Sequence, residues 1–133
     1  MTTYIDKVAL VWLQDGKVLM TREDWNDIFY IPWWTKENPE SDIQTLHREV
    51  SEELWTTTIP GTEKFLIQLE AQAHGKPEWT YVRISHYTAE MSGTPKPWNE
   101  IVEIARFQYE DKSRASLINW MLFDWLFQKW LLK

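Results

Sequence analysis

The sequence predicts an α/β layered domain with a mixed sheet. Three observations carry this. Segments of β character alternate with helical ones along the chain, Asp15-Gly16 is a strong two-residue hairpin signal, and one central segment has a clear helical period. At 133 residues the chain suits one domain spanning 1–133, since single domains usually hold about 100–200 residues. It contains no Cys. That excludes thiol nucleophiles, disulfide frameworks and thiolate zinc sites together.

Taken in order, Ile5 to Leu13 is rich in Val, Leu and aromatics and reads as a strand, and Lys17 to Thr21 returns after the Asp15-Gly16 turn. Ile28 to Ile31 reads as a short apolar strand stopped by Pro32, and residues 33–40 as a loop. A helix is expected over about 41–54, then a turn at Pro60-Gly61. Lys64 to Ala73 and Thr80 to Ala89 read as strands joined by the turn residues His74-Gly75-Lys76-Pro77. A Pro-rich loop at 92–97 leads to a last strand, Ile101 to Tyr109, and a helix is expected from about Ser113 to Leu131.

The net charge of −6, from 14 basic and 20 acidic residues, argues against a polymer of nucleic acid as partner, because such binding needs a basic surface. No signal peptide is visible, and the most apolar tract, Leu117 to Phe127, is broken by Asn119 and Asp124. A cytoplasmic protein without membrane attachment is expected. His47, His74 and His86 are too scattered to suggest a zinc site. Phe29, Tyr30 and Tyr81 suit a core or base stacking, and Arg22 and Arg83 suit solvated strand ends or phosphate contacts. The C-terminal helix carries more apolar surface than one packed face requires, so a homodimer is expected.

The chemistry concentrates in the segment from Glu40 to Leu54. Ser41 followed by Gln44 fits a capping box, and Ile43, Leu46, Val50 and Leu54 recur at helical spacing as one buried face. Glu49, Glu52 and Glu53 stand at i, i+3 and i+4, within an arc of about 100° beside that face. A Glu-rich helix also suits a plain solvated face, with Arg48 pairing Glu52. Mutual repulsion of three such carboxylates is what a hard divalent cation relieves.

Spacing sharpens the choice. Trp34 is followed after five residues by Glu40, after seven more by Arg48-Glu49-Val50-Ser51-Glu52-Glu53, and after one more by Trp55. This closely resembles the signature of the Nudix hydrolases: Gly, five residues, Glu, seven residues, Arg-Glu-aliphatic-any-Glu-Glu, one residue, Gly. Every charged position matches. Phe29 to Pro32, His74 to Glu78, Tyr87 to Ala89 and Phe123 to Leu126 resemble further family segments. The resemblance implies an α/β/α sandwich with a mixed central sheet. It also implies hydrolysis of a nucleoside-diphosphate derivative with Mg²⁺ or Mn²⁺. Glu49, Glu52 and Glu53 are then the metal ligands and Arg48 orients a catalytic glutamate. Glu40 supports the motif, and Glu100 is the carboxylate from outside the helix, with Glu103 in reserve.

The departures fall on the glycines. Trp33 and Trp34 replace the Gly pair, Trp55 replaces the Gly after the helix, and Trp79, Trp98 and Trp130 also stand where a small residue is expected. The chain holds ten Trp and only four Gly, against the roughly nine Gly that average usage of about 7% implies. The pattern resembles systematic replacement, as in an engineered sequence. It implies weakened hydrolysis, with a positive φ strained at Trp34, and activity regained on restoring glycine at 33 and 34. An impaired scaffold acting as a self-associating or protein-binding module is the alternative.

Overall fold

The computed structural model describes residues 2–73 and 76–133. Seven strands form two sheets: β1 Thr3–Leu10, β2 Leu13–Gln14, β3 Lys17–Glu23, β4 Trp33–Thr35, β5 Lys64–Gln72, β6 Thr80–Thr88 and β7 Ile101–Phe107. Two α-helices join them, α1 Asp42–Glu53 and α2 Trp120–Gln128. One sheet has the order β4-β1-β6-β5 and is mixed, because β1 and β6 run parallel while their outer neighbours run antiparallel. The other has the antiparallel order β2-β3-β7. The expected α/β class with a mixed sheet is what the chain adopts.

Strand β1 explains the layering. Its side chains alternate between two faces, and both faces are covered. Val8 and Leu10 meet Leu46 and Val50 of α1 and Leu54 at its C-terminal cap, while Ala9, with Val11 just beyond the strand, joins Leu122, Phe123 and Leu126 of α2 in the larger core. The helices thus lie on opposite sides of the mixed sheet. Ser41 caps α1 as expected, with its hydroxyl accepting from Gln44 N–H and the Gln44 side chain accepting from Ser41 N–H. Tyr87 on β6 donates to Asp42 at 2.7 Å and fixes the helix start on the sheet.

The Asp15-Gly16 hairpin forms with Gln14 opposite Lys17, and both turn residues have positive φ, 53° and 74°. A Cβ at Gly16 would sit 2.4 Å from the Lys133 side chain, whose backbone N–H donates to Gly16 O. Glycine is needed there on both counts.

Two expected elements differ. Ile28 to Ile31 is not a strand: Phe29 and Tyr30 make isolated bridges to Ala115 and Thr21, and the strand lies at Trp33–Thr35 instead, pairing Trp34 with Val8. The long C-terminal helix is also shorter than expected. Two 3-10 turns, Tyr109–Arg114 and Leu117–Asn119, precede it, separated by an extended Ala115 whose neighbour Ser116 donates its N–H to Phe29 O. The expected turn at His74-Gly75 lies outside the described residues.

The helix ends carry the strain. Both α1 and α2 are followed by a tryptophan in the left-handed region, Trp55 at φ 54° and Trp130 at φ 62°. After α2, Trp130 N–H bonds Phe127 O and Leu131 N–H bonds Leu126 O, the paired closure that usually employs glycine. Trp130 is 94% exposed. Its side chain therefore has little packing to lose. We expect Trp130→Gly to stabilise the chain by about 0.5–1 kcal/mol, the non-glycine penalty less the extra freedom glycine gives the unfolded state. Urea titration of both proteins checks it, and an unchanged or lower midpoint refutes it. Trp55→Gly should gain less, since Trp55 contacts Trp98 at 4.2 Å between ring centroids.

Candidate active site

Three glutamates of the motif, Glu40, Glu49 and Glu52, meet around the Arg48 guanidinium. Arg48 projects from the middle of α1 back toward Glu40, and its Nε and Nη2 donate to the two Glu40 oxygens at 2.6 and 2.9 Å. Such a two-pronged contact fixes the plane of the guanidinium as well as its position. Its Nη1 then reaches Glu49, and Glu52 at 3.5 Å. Arg48 holds the Glu40 carboxyl down to about 2, helped by Thr45. Burial pushes the Glu49 carboxyl up against the pull of Arg48, with Glu52 and Glu37 adding to the rise.

Glu53 faces the other way. Its carboxylate accepts the Trp34 indole N–H at 3.0 and 3.2 Å. Burial pushes its pKa up to about 7 in spite of that bond, and the negative charges of Glu49, Glu100 and Glu23 push the same way. Glu100 thus lies within the electrostatic reach of Glu53. Glu23, at the end of β3, is a further member that sequence reasoning missed, because no local motif marks it. Glu103 is engaged elsewhere, bonded by Arg22 at 2.9 Å. Arg83 likewise pairs with Asp6, at 2.8 Å.

A clamp brings Glu100 to this place. Lys96 N–H donates to Leu54 O and the Asn99 amide donates to Glu52 O at 2.7 Å. These bonds satisfy carbonyls that a helix end leaves free. The tilted contact of Trp98 with Trp55 closes the same junction.

This arrangement of sheets and helices recurs in solved structures. The E. coli ORF135 protein superposes with a TM-score of 0.77 at 19% identity, over 96% of this chain and 91% of that one. A Nudix hydrolase from Nitrosomonas europaea gives 0.75 at 19% identity, over 98% and 92%. A MutT Nudix hydrolase from Burkholderia pseudomallei gives 0.67 at 17%, over 81% and 85%. The chain has the Nudix hydrolase fold. No family model and no curated protein matches its sequence.

In the Nudix fold of this chain, the tryptophans at the motif's glycine positions take two different roles. Trp55 adopts the left-handed backbone that glycine favours. Trp34 does not: it lies in a paired strand and, among the described residues, is not one of those with positive φ. The expected backbone strain at Trp34 is therefore absent, because pairing with Val8 keeps the strand extended. What Trp34 changes is the interior. It is 5% exposed and packs with Val8, Leu46, Val50 and Leu54 beneath α1.

Two clefts flank this point. One of about 200 Å³ is lined by Glu23, Trp25, Tyr30, Trp33, Trp34 and Glu53. The other, about 860 Å³ and mainly apolar, runs between the mixed sheet and the turn segment before α2, past Ile5, Ala71, Val82, Leu117 and Trp120. Tyr30 and Trp33, stacked at 5.7 Å, line both and form the wall between them.

The donor set suits a hard divalent cation, being all carboxylate and self-repelling around Glu53. The rotamers are another matter. Among the described residues no three His, Asp or Glu side chains are gathered as a metal cage. Arg48 holds Glu49, and Trp34 holds Glu53.

Proposed function

We propose that the chain is a Nudix-type hydrolase cleaving the pyrophosphate bond of a nucleoside-diphosphate derivative, weakened by tryptophan at the glycine positions. The observation that carries the reading is the Glu40–Arg48–Glu49 contact on a helix of the Nudix fold, which holds the charged half of the motif together. Glu49, Glu52 and Glu53 are the residues that would hold Mg²⁺ or Mn²⁺. Bound there, the cation would neutralise phosphate oxygens and activate water. Arg48, itself fixed by Glu40, orients Glu49. Glu100 is the carboxylate that accepts the proton of the attacking water. The larger cleft, apolar and open to the stacked pair Tyr30 and Trp33, suits the nucleoside part of such a substrate.

A screen of nucleoside-diphosphate derivatives with Mg²⁺ and Mn²⁺ tests the activity, and no metal-dependent release of phosphate or nucleotide from any of them refutes it. We expect Glu52→Gln to weaken Mn²⁺ binding about tenfold or more while the fold survives, since Glu52 is exposed and its ion pair to Arg48 spans 3.5 Å. Titration calorimetry with unchanged Mn²⁺ affinity in that variant would remove Glu52 from the ligand set.

A homodimer and a cytoplasmic location belong to the same proposal. Leu117 at 73%, Met121, Phe127, Trp130 and Leu131 leave apolar surface exposed along and beyond α2. No helix among the described residues is long and apolar enough to cross a membrane. Light scattering at high micromolar concentration should report a dimer; a monomer there refutes it.

A further inference from the structure

The Trp34–Glu53 contact has a geometry that matters for any cation. The two N···O distances, 3.0 and 3.2 Å, are nearly equal. The indole proton therefore points between the two oxygens, along the direction from which a cation would chelate both. An indole N–H only donates, so it cannot share that place with a cation. Nor can it readily leave. The ring is wedged among Val8, Leu46, Val50 and Leu54, and its backbone is paired to β1.

We propose that the indole of Trp34 is a built-in competitor for the divalent cation, holding the Glu53 carboxylate and denying it two-oxygen ligation. This rests on the reading of Glu53 as a ligand. Glycine at the same place would present no donor, so the competition belongs to this chain's own residue. Glu52 stays exposed, with only a 3.5 Å contact to Arg48, and the expected result is a site that binds metal weakly.

Trp34→Phe keeps an aromatic wedge and removes only the donor. Calorimetric titration with Mg²⁺ and Mn²⁺ at pH 8 should show binding tighter by at least about tenfold, the scale of one hydrogen bond to a charged group. Glu53→Gln should weaken binding, and Trp34→Phe should have no effect in that background. If Glu53→Gln weakens binding while Trp34→Phe changes nothing, the competitor is refuted and the ligand assignment stands. If Glu53→Gln has no effect, the ligand assignment fails and the competitor with it. A gain from Trp34→Phe that persists without Glu53 also overturns the proposal. Should Trp34→Phe not fold, Trp34→Met, which likewise fills the core without a donor, is titrated in its place, and a Mg²⁺ and Mn²⁺ affinity equal to the parent's refutes the competition.

Discussion

Trp34→Gly is expected to destabilise the chain by about 3–5 kcal/mol, the usual cost of emptying a large aromatic from a core. The indole fills the space between β1 and α1, where Val8, Leu46, Val50, Leu54 and Ala89 surround it. Glycine in a strand adds a further ~0.5–1 kcal/mol through backbone freedom. Trp33→Gly should cost less, because Trp33 is only partly buried at the margin of the larger core, where it stacks on Tyr30 and lies under the Lys7 ammonium at 4.9 Å. Urea unfolding of the two single variants separates them. Equal midpoints would mean that the strand and loop close over the vacated space. Placing glycine at both positions therefore frees the Glu53 carboxylate from the indole but empties the core, and a gain in kcat/KM has to be read on the fraction that stays folded.

Glu53→Gln should gain stability relative to the parent as pH rises from about 4.5 to 7, in protein freed of divalent ions by a chelator. The folded-state pKa of Glu53 is about 7, raised from 4.5 chiefly by burial. A raised pKa means that the group's contribution is fully present below about 4.5 and is lost as pH rises through 7. His86 works the other way. It is 1% exposed, its Nδ1–H donates to Ile67 O at 3.1 Å, and its Nε2 has no partner among the described residues. Burial pulls its pKa down to about 4 from 6.5. Its contribution of about 3 kcal/mol is present above pH 6.5 and is lost as pH falls toward 4. Between pH 4.5 and 6.5 the two slopes oppose, so the parent should be nearly flat there. Glu53→Gln should unmask the His86 slope, with stability rising with pH, and His86→Leu should unmask the falling one. Urea midpoints across that range check it. Parallel curves for parent and Glu53→Gln would refute the assignment.

The sequence makes legible what local rules control. The capping box and apolar period specify α1, the Asp15-Gly16 pair specifies the hairpin, and the alternation of strand and helix gives the α/β class. Elements set by distant partners are not legible. Trp33–Thr35 becomes a strand because β1 offers a free edge, and the C-terminal helix starts late because Ala115 bridges to Phe29, far away in the chain. At the site, Arg48 and its glutamates stand in one motif and can be read together. Glu23 and the bond between Trp34 and Glu53 depend on how the strands approach the helix. No spacing rule encodes that approach.

The tilted contact of Trp55 with Trp98 also gives the molecule an optical signature. Two indoles with centroids 4.2 Å apart and planes inclined at 48° have interacting transition dipoles. Such a pair produces an exciton couplet in circular dichroism, of opposite-signed bands, that isolated indoles lack. The couplet belongs to the junction where the loop of Lys96 and Asn99 grips the end of α1. Its amplitude therefore reports whether the loop that carries Glu100 is seated on the helix, without a label and without a substrate.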